Sequence, residues 1–254
     1  MGKEITQLEP QTLWSNFYSL TQIPRPSKHE SKVLDYIADY GRQLDLEVLR
    51  DSVGNVIIRK PASCGMENRR GVILQAHADM VPQKRSDSKH DFQKDSIETI
   101  LDGNVVRANG TTLGADNGIG VAATMAVLAD KSLQHPPLEV LITTDEETGM
   151  TGAFGLQPDI LRGEVLLNLD SEEEGELYIG CAGGVNVTST FRYSKIETAS
   201  DDIAVKVVVS GLQGGHSGLD INRGRANANK LLNRFLCRIA EKYEFYLCDI
   251  SGGS

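Results

Sequence analysis

Apolar positions at Val33, Leu34, Ile37 and Tyr40 recur at helical spacing behind Ser27-Lys28-His29-Glu30. That tetrapeptide reads as a capping box, in which the serine hydroxyl and the glutamate carboxylate close free backbone N–H groups at a helix start. Leu46–Leu49 and Val56–Ile58 flank a polar Asp51–Asn55 turn and predict a hairpin, so residues 10–60 should hold two helices and a strand pair. From residue 71 the pattern changes to short apolar runs, each followed by acid-rich sequence: GVILQA (71–76), LEVLITT (138–144) and VLLNL (165–169). A helix is expected over Asn117–Ala129, between the first two runs. Near-continuous apolar strands alternating with helices indicate an α/β domain whose sheet is covered on both faces. An Asp102-Gly103 turn between Ile97–Leu101 and Val105–Arg107 adds an antiparallel element, which makes the sheet mixed.

Around Gly180-Cys181-Ala182-Gly183-Gly184 the sequence loosens and a second pattern begins. Val185–Phe191, Ile203–Ser210 and Phe245–Ile250 read as strands and Ala226–Lys242 as a helix, which together make a small α+β unit. The expected division is a first domain over residues 1–183 and a second over 184–254.

Composition narrows the function classes. With 26 basic and 35 acidic residues the chain carries a formal charge of −9, which argues against a nucleic-acid partner, since phosphate binding requires a basic surface. The longest uncharged stretches, Pro10–Pro24 and Leu177–Phe191, stop at 15 residues and are broken by polar residues, Pro or Gly, short of the roughly 17–25 apolar residues of a membrane helix, and the amino terminus lacks a basic start followed by an apolar run. The four cysteines, Cys64, Cys181, Cys237 and Cys248, form no close pair, so neither a disulfide scaffold nor a thiolate zinc site is suggested and a cytoplasmic location is expected.

The candidate chemistry sits where the apolar runs end. The first delivers His77-Ala78-Asp79, the second Asp145-Glu146-Glu147, the third Asp170, and Asp116 opens the intervening helix. Ligand sites in open α/β sheets lie at the carboxyl ends of strands, so residues far apart in sequence can converge there. One imidazole with several carboxylates suits zinc, with manganese or cobalt as other candidates. Each residue also has an ordinary explanation: His77 as a hydrogen-bonded core histidine, Asp116 as a helix cap, Glu146 and Glu147 as a solvated turn, Asp170 as a cap or a surface acid. Taken together these explanations require four separate element ends to supply acids and an imidazole by coincidence. Asp79, two residues beyond His77, is placed to hold the second ring nitrogen.

Five ordered segments, HADMVPQK, GTTLGADNGIGVA, TTDEETGMTGA, NLDSEEEGELYIGCAGG and GLQGGHSGLDI, span residues 77–221. In that order they resemble the aminoacyl-histidine dipeptidases, the carnosinase-type branch of the two-zinc exopeptidases. The resemblance implies a mixed-sheet zinc-exopeptidase-like catalytic domain with helices on both faces, followed by a partial α+β lid or dimerisation domain. It implies two zinc ions, one held by His77 and Asp170, the other by Glu147, with Asp116 bridging. Glu146 would be the general base acting on a metal-activated water, Asp79 would orient His77, and His216 would help bind the substrate. The implied substrates are dipeptides of the Xaa-His type, including β-alanyl-histidine, and the implied assembly is a homodimer through the lid.

Members of this family run further than 254 residues and supply another zinc-binding histidine near the carboxyl terminus, whereas no histidine follows His216 in this chain. The expectation is therefore a lid cut short, apolar surface left for another chain to cover, and a Glu147 metal position lacking one ligand. Three readings stay open at this point: a dipeptidase, a metal-dependent deacylase or aminoacylase on the same scaffold, and a metal-binding fragment without catalysis.

Overall fold

The computed structural model describes all residues except 1, 172–173, 182, 184, 186, 216–219, 221 and 253–254. It divides into two compact units, Met1–Cys181 and Ala182–Ser254.

In the first unit a short 3-10 turn (Lys3–Gln7) leads into two helices, α1 (Gln11–Thr21) and α2 (Ser31–Gln43). The strands are β1 (Glu47–Arg50), β2 (Val56–Lys60), β3 (Val72–His77), β4 (Thr99–Asp102), β5 (Val105–Ala108), β6 (Leu138–Thr143) and β7 (Val165–Asn168). Between β5 and β6 runs α3 (Ala115–Ala129), and between β6 and β7 come two single turns, α4 (Glu146–Gly149) and α5 (Thr151–Phe154). The main sheet has the order β1-β2-β6-β3-β7, and β4 and β5 make a separate two-stranded sheet. Strands β1, β2 and β6 pair antiparallel, while β6, β3 and β7 run parallel. The sheet is mixed, as expected, but its antiparallel part comes from β1, β2 and β6; the Asp102-Gly103 hairpin, expected to supply it, forms the separate β4–β5 sheet instead.

Alternation along the strands sorts side chains onto two faces. Val56, Ile58, Leu74, Ala76, Val140 and Ile142 point to one face, where they pack with Phe17 and Leu20 of α1, Val33, Leu34 and Ile37 of α2, and Val121, Met125 and Leu128 of α3. A side chain at Gly41 would bring its Cβ within 2.9 Å of Ile58 and Val48, so glycine there lets α2 lie close against β1 and β2. The opposite face is covered unequally. Ile57, Ile73 and Leu141 are buried beneath Leu49, Leu156, Ile160 and Leu161, which places the chain following α5 over this side rather than a long helix.

One local expectation is corrected. Ser27 and Glu30 do not form a capping box: α2 begins at Ser31, Glu30 itself stands at the cap position, and no side chain closes the helix start. The Ser27 hydroxyl donates instead to Asp79 at 2.8 Å, and the Glu30 carboxylate accepts from the backbone N–H groups of Lys28 at 2.7 Å and Asp145 at 3.2 Å. A buried acid with a polar neighbour at hand outcompetes a helix end that water can solvate.

In the second unit the predicted helix is present as α6 (Ala228–Ala240), with the Asn227 side chain accepting from Lys230 N at 3.0 Å. The predicted strands over 185–191, 203–210 and 245–250 pair with nothing among the described residues, and position 186 lies outside them. A period-two apolar pattern is a disposition to pair, and it becomes a strand only against a neighbour that takes its backbone hydrogen bonds. Ile203, Val205, Phe245 and Tyr246 are accordingly exposed. Among the described residues no helix is long and apolar enough to cross a membrane.

Truncating Ile58, fully buried between α2 and the sheet, to alanine should cost about 2–5 kcal/mol, whereas Leu166→Ala at a half-exposed position of β7 should stay within about 0.5 kcal/mol. Urea unfolding of the two variants checks this, and equal losses would contradict the assignment of the core.

Candidate metal centre

Three parallel strands end at one level. His77, the last residue of β3, is in register with Thr143 at the end of β6, and Gln75 with Asn168 at the end of β7. The next residues of β6 and β7 therefore deliver Asp145, Glu146, Glu147 and Asp170 beside His77. Helix α3 supplies Asp116 from its first turn, where the backbone departs from helical angles at Asp116 and Asn117. The Asn117 amide holds this turn against β7, donating to the Leu169 carbonyl at 2.9 Å and to the Asp170 carboxylate. Gly120 makes the approach possible, since a Cβ there would stand 2.1 Å from Asn117 Oδ1 and 2.7 Å from the Leu169 carbonyl oxygen.

The imidazole of His77, 1% exposed, sits between two carboxylates. Its Nδ1 lies 3.2 Å from Asp79 Oδ1 and its Nε2 lies 2.9 Å from Asp116 Oδ1. Asp170 Oδ2 is 3.6 Å and Glu146 Oε2 4.0 Å from the same Nε2. Among the described residues three donor sets have ligand atoms all within 4.8 Å of one another: the buried Glu30, Asp79 and Asp145, whose carboxylates are engaged by hydroxyl and backbone donors, and two that share the imidazole, His77 with Asp116 and Asp170, and His77 with Glu146 and Glu147. Either of the latter two could hold a metal ion. The structure thus brings six of the seven predicted site residues together, while His216 lies outside the described residues.

Asp79 is fully buried and accepts four hydrogen bonds in all, from the Ser27 hydroxyl, from His77, and from the backbone N–H groups of Glu146 at 3.0 Å and Glu147 at 3.1 Å. Burial works against its charge, but these donors more than compensate and hold its carboxyl down at about 2. Asp145 adopts a left-handed backbone at the turn before α4 and accepts from the hydroxyls of Thr148 and Thr151, which fixes the direction in which Glu146 and Glu147 leave the strand.

The electrostatics fit a cation. Burial followed by the nearby Asp116 charge pushes Glu147 up to about 7, and burial also raises Asp170. Burial would lower His77, yet hydrogen bonds to Asp116 and Asp79 and the charge of Asp170 reverse this and hold it up at about 10. Burial first, and neighbouring acids second, raise Glu147 and Asp170, while the acids around His77 favour its charged form, so the pocket favours added positive charge. A divalent ion would supply that charge, and the oxygen-and-imidazole donors suit zinc and its neighbours in the first transition series.

Four supporting residues escaped the sequence reading: Arg25, Ser27, Glu30 and Asn117. Ser27 and Glu30 carried a misleading local signal, and Asn117 passed as an ordinary helix residue. Arg25, 2% exposed, donates to the carbonyls of Ala78 at 2.9 Å, Asp79 at 3.1 Å and Gly114. All are contacts across long sequence separations, which local pattern does not encode.

Similarity to known proteins runs through this site. The chain is 52% identical over 251 residues to the cytosol non-specific dipeptidase of Escherichia coli K12, covering 99% of this chain and 52% of that protein. The crystal structure of aminoacylhistidine dipeptidase from Vibrio alginolyticus superposes with a TM-score of 0.69 at 47% identity, covering 94% of this chain and 49% of that one. A tripeptidase from Staphylococcus aureus shares the fold at a TM-score of 0.55 and 22% identity, over 65% of this chain and 44% of that one. The chain therefore spans about half the length of the first two relatives. The profile of peptidase family M20/M25/M40 matches residues 73–217, an interval that contains every strand-end acid around His77, and the chain belongs to that family.

Proposed function

We propose that the protein to which this chain belongs is a metal-dependent dipeptidase with its reaction centre at His77. The observation that carries this reading is the convergence of His77, Asp116, Asp170, Glu146 and Glu147 at the ends of three parallel strands, in a chain 52% identical to a dipeptidase. The first domain, residues 1–183, carries the chemistry, and residues 184–254 serve as lid and dimerisation surface. Zinc is the proposed metal, with His77, Asp116 and Asp170 holding one ion and Asp116 and Glu147 a second. The bound ions would polarise the scissile carbonyl and offset the charge its oxygen gains.

The chain's own residues do the rest. Asp79 accepts from Nδ1 of His77 and so fixes Nε2, which faces Asp116 at 2.9 Å, as the ring atom that would bind the metal once it gives up its proton. Glu146 has a side chain 32% exposed, with Oε2 4.0 Å from His77 Nε2, so it reaches both the site and solvent. In that position it takes a proton from the attacking water and gives it to the leaving amine. His216, within the interval that matches the family, is assigned to the substrate's carboxylate or carbonyl. The substrates are dipeptides, Xaa-His pairs such as β-alanyl-histidine among them. The word "non-specific" in the E. coli relative's name supports a wider range, and its word "cytosol" supports a cytoplasmic location.

Glu146→Gln in the whole protein should abolish hydrolysis of β-alanyl-histidine while leaving metal content unchanged, measured by amino-acid release and by elemental analysis of the same sample. Retained turnover would remove Glu146 from the role of base. Preference for an N-acylated amino acid over dipeptides would favour the deacylase reading instead.

Metal binding should also expel protons. In the metal-free site His77, held at about 10, is charged at neutral pH, and Glu147, at about 7, is partly protonated. Both must lose their protons to act as ligands, so affinity rises with pH, roughly tenfold per unit for each proton displaced. Calorimetric titration with zinc at neutral pH in buffers of different ionisation enthalpy should show release of at least one proton per ion. Heats independent of buffer would contradict these charge states.

A further inference from the structure

Arg25 lies in the loop between α1 and α2, far in sequence from every strand end that bears a candidate ligand, yet its backbone carbonyl accepts from the Met80 N–H at 3.2 Å and its guanidinium is buried against two of the segments that carry those ligands. Nη1 donates to the carbonyls of Ala78 at 2.9 Å and Asp79 at 3.1 Å, in the segment that directly follows His77. Nη2 donates to the carbonyl of Gly114, two residues before Asp116. One planar group therefore ties the β3 end to the α3 start, the two segments whose side chains meet at 2.9 Å between His77 Nε2 and Asp116 Oδ1.

The surroundings are cut to admit it. A Cβ on Gly114 would stand 2.6 Å from Nη2 and 2.8 Å from Met80 Sδ, and a Cβ on Gly118 would stand 2.6 Å from Nη2 and 3.0 Å from Phe17. Gly114 in addition has φ +70°, which disfavours any side chain. Two glycines of the segment GTTLGADNGIGVA thus form a cradle for the guanidinium, which accounts for their presence in physical terms.

We propose that Arg25 is a positioning residue for the metal centre, fixing the separation of His77 and Asp116 by clamping the backbones on either side of them. A guanidinium does this where an ammonium would not, because its fork presents several donors in fixed directions. The proposal rests on the reading of this site as a metal centre, and the experiment separates the two.

The test is titration of the metal-free protein with Co²⁺, followed by visible absorption, with thermal unfolding measured in parallel. Wild-type protein that binds no Co²⁺ would overturn the metal-centre reading itself. If the wild type binds, Arg25→Met should weaken binding by about 10–100-fold, the usual range for loss of a residue supporting metal ligands. Arg25→Lys, which keeps the charge but loses the fork, should also bind more weakly than wild type and show an altered Co²⁺ spectrum. Wild-type affinity in Arg25→Met, folded at the titration temperature, would reduce Arg25 to space filling. Full recovery in Arg25→Lys would assign the effect to charge rather than to positioning. Should Arg25→Met fail to fold, Gly118→Ala keeps the arginine but presses on Nη2, and it should shift the Co²⁺ spectrum and weaken binding. An unchanged spectrum and affinity there would overturn the proposal.

Discussion

The carboxylate of Asp79 is the point on which the site depends. It has no contact with solvent, and a buried anion is tolerated only when its lone pairs are satisfied. Its donors come from three places in the chain: the Ser27 hydroxyl before α2, the His77 ring on β3, and the first N–H groups of α4. Satisfying one charge thus fixes three segments relative to one another. The same arrangement aims Glu146 and Glu147, because their own backbone N–H groups are what Asp79 holds.

From that constraint the rest of the geometry follows in steps. Parallel pairing of β6, β3 and β7 brings their carboxyl ends to one level, and a site can form there from residues 77 to 170. Helix α3 has to reach the same level to bring Asp116. It does so because Gly120 lets its first turn touch the Leu169 carbonyl, and because the Asn117 amide bonds that carbonyl and Asp170 together. The side-chain Oδ1 of Asn117 is buried with no hydrogen-bond partner among the described residues, so this side chain holds the turn through its amide nitrogen, beside the contacts of Arg25 to Gly114 and of His77 to Asp116.

What could be read from the sequence, and what could not, divides along physical lines. Helix α2 and strands β2, β3 and β6 were visible because burial of one face imposes a period on the chain, as at Val33, Leu34 and Ile37. The strand-end acids were visible because their residue types are uncommon directly after apolar runs. Ser27 and Glu30 were misread because a capping box is judged over four residues, whereas the competing partners, Asp79 and Asp145, lie far along the chain. The strands expected after residue 184 had the right alternation at Ile203, Val205 and Val207, but alternation provides no neighbour. Arg25 carried no signal at all, since an arginine in a Pro-rich loop is ordinarily a solvated charge.

The placement of that arginine also answers a problem that any acid-rich metal site must meet. Asp79, Asp116 and Glu147 repel one another when no ion is bound, and a cation nearby would relieve the repulsion. An arginine paired directly with those carboxylates would occupy the lone pairs that a metal ion needs, and would have to be displaced for binding. Arg25 directs its donors to the carbonyls of Ala78, Asp79 and Gly114 instead. Burial lowers its pKa to about 10, which still leaves it charged at neutral pH, so the field of the cation reaches the acids without the guanidinium itself occupying their oxygens. Charge compensation and ligand availability conflict when one contact must serve both, and backbone carbonyls let this chain assign them to separate atoms.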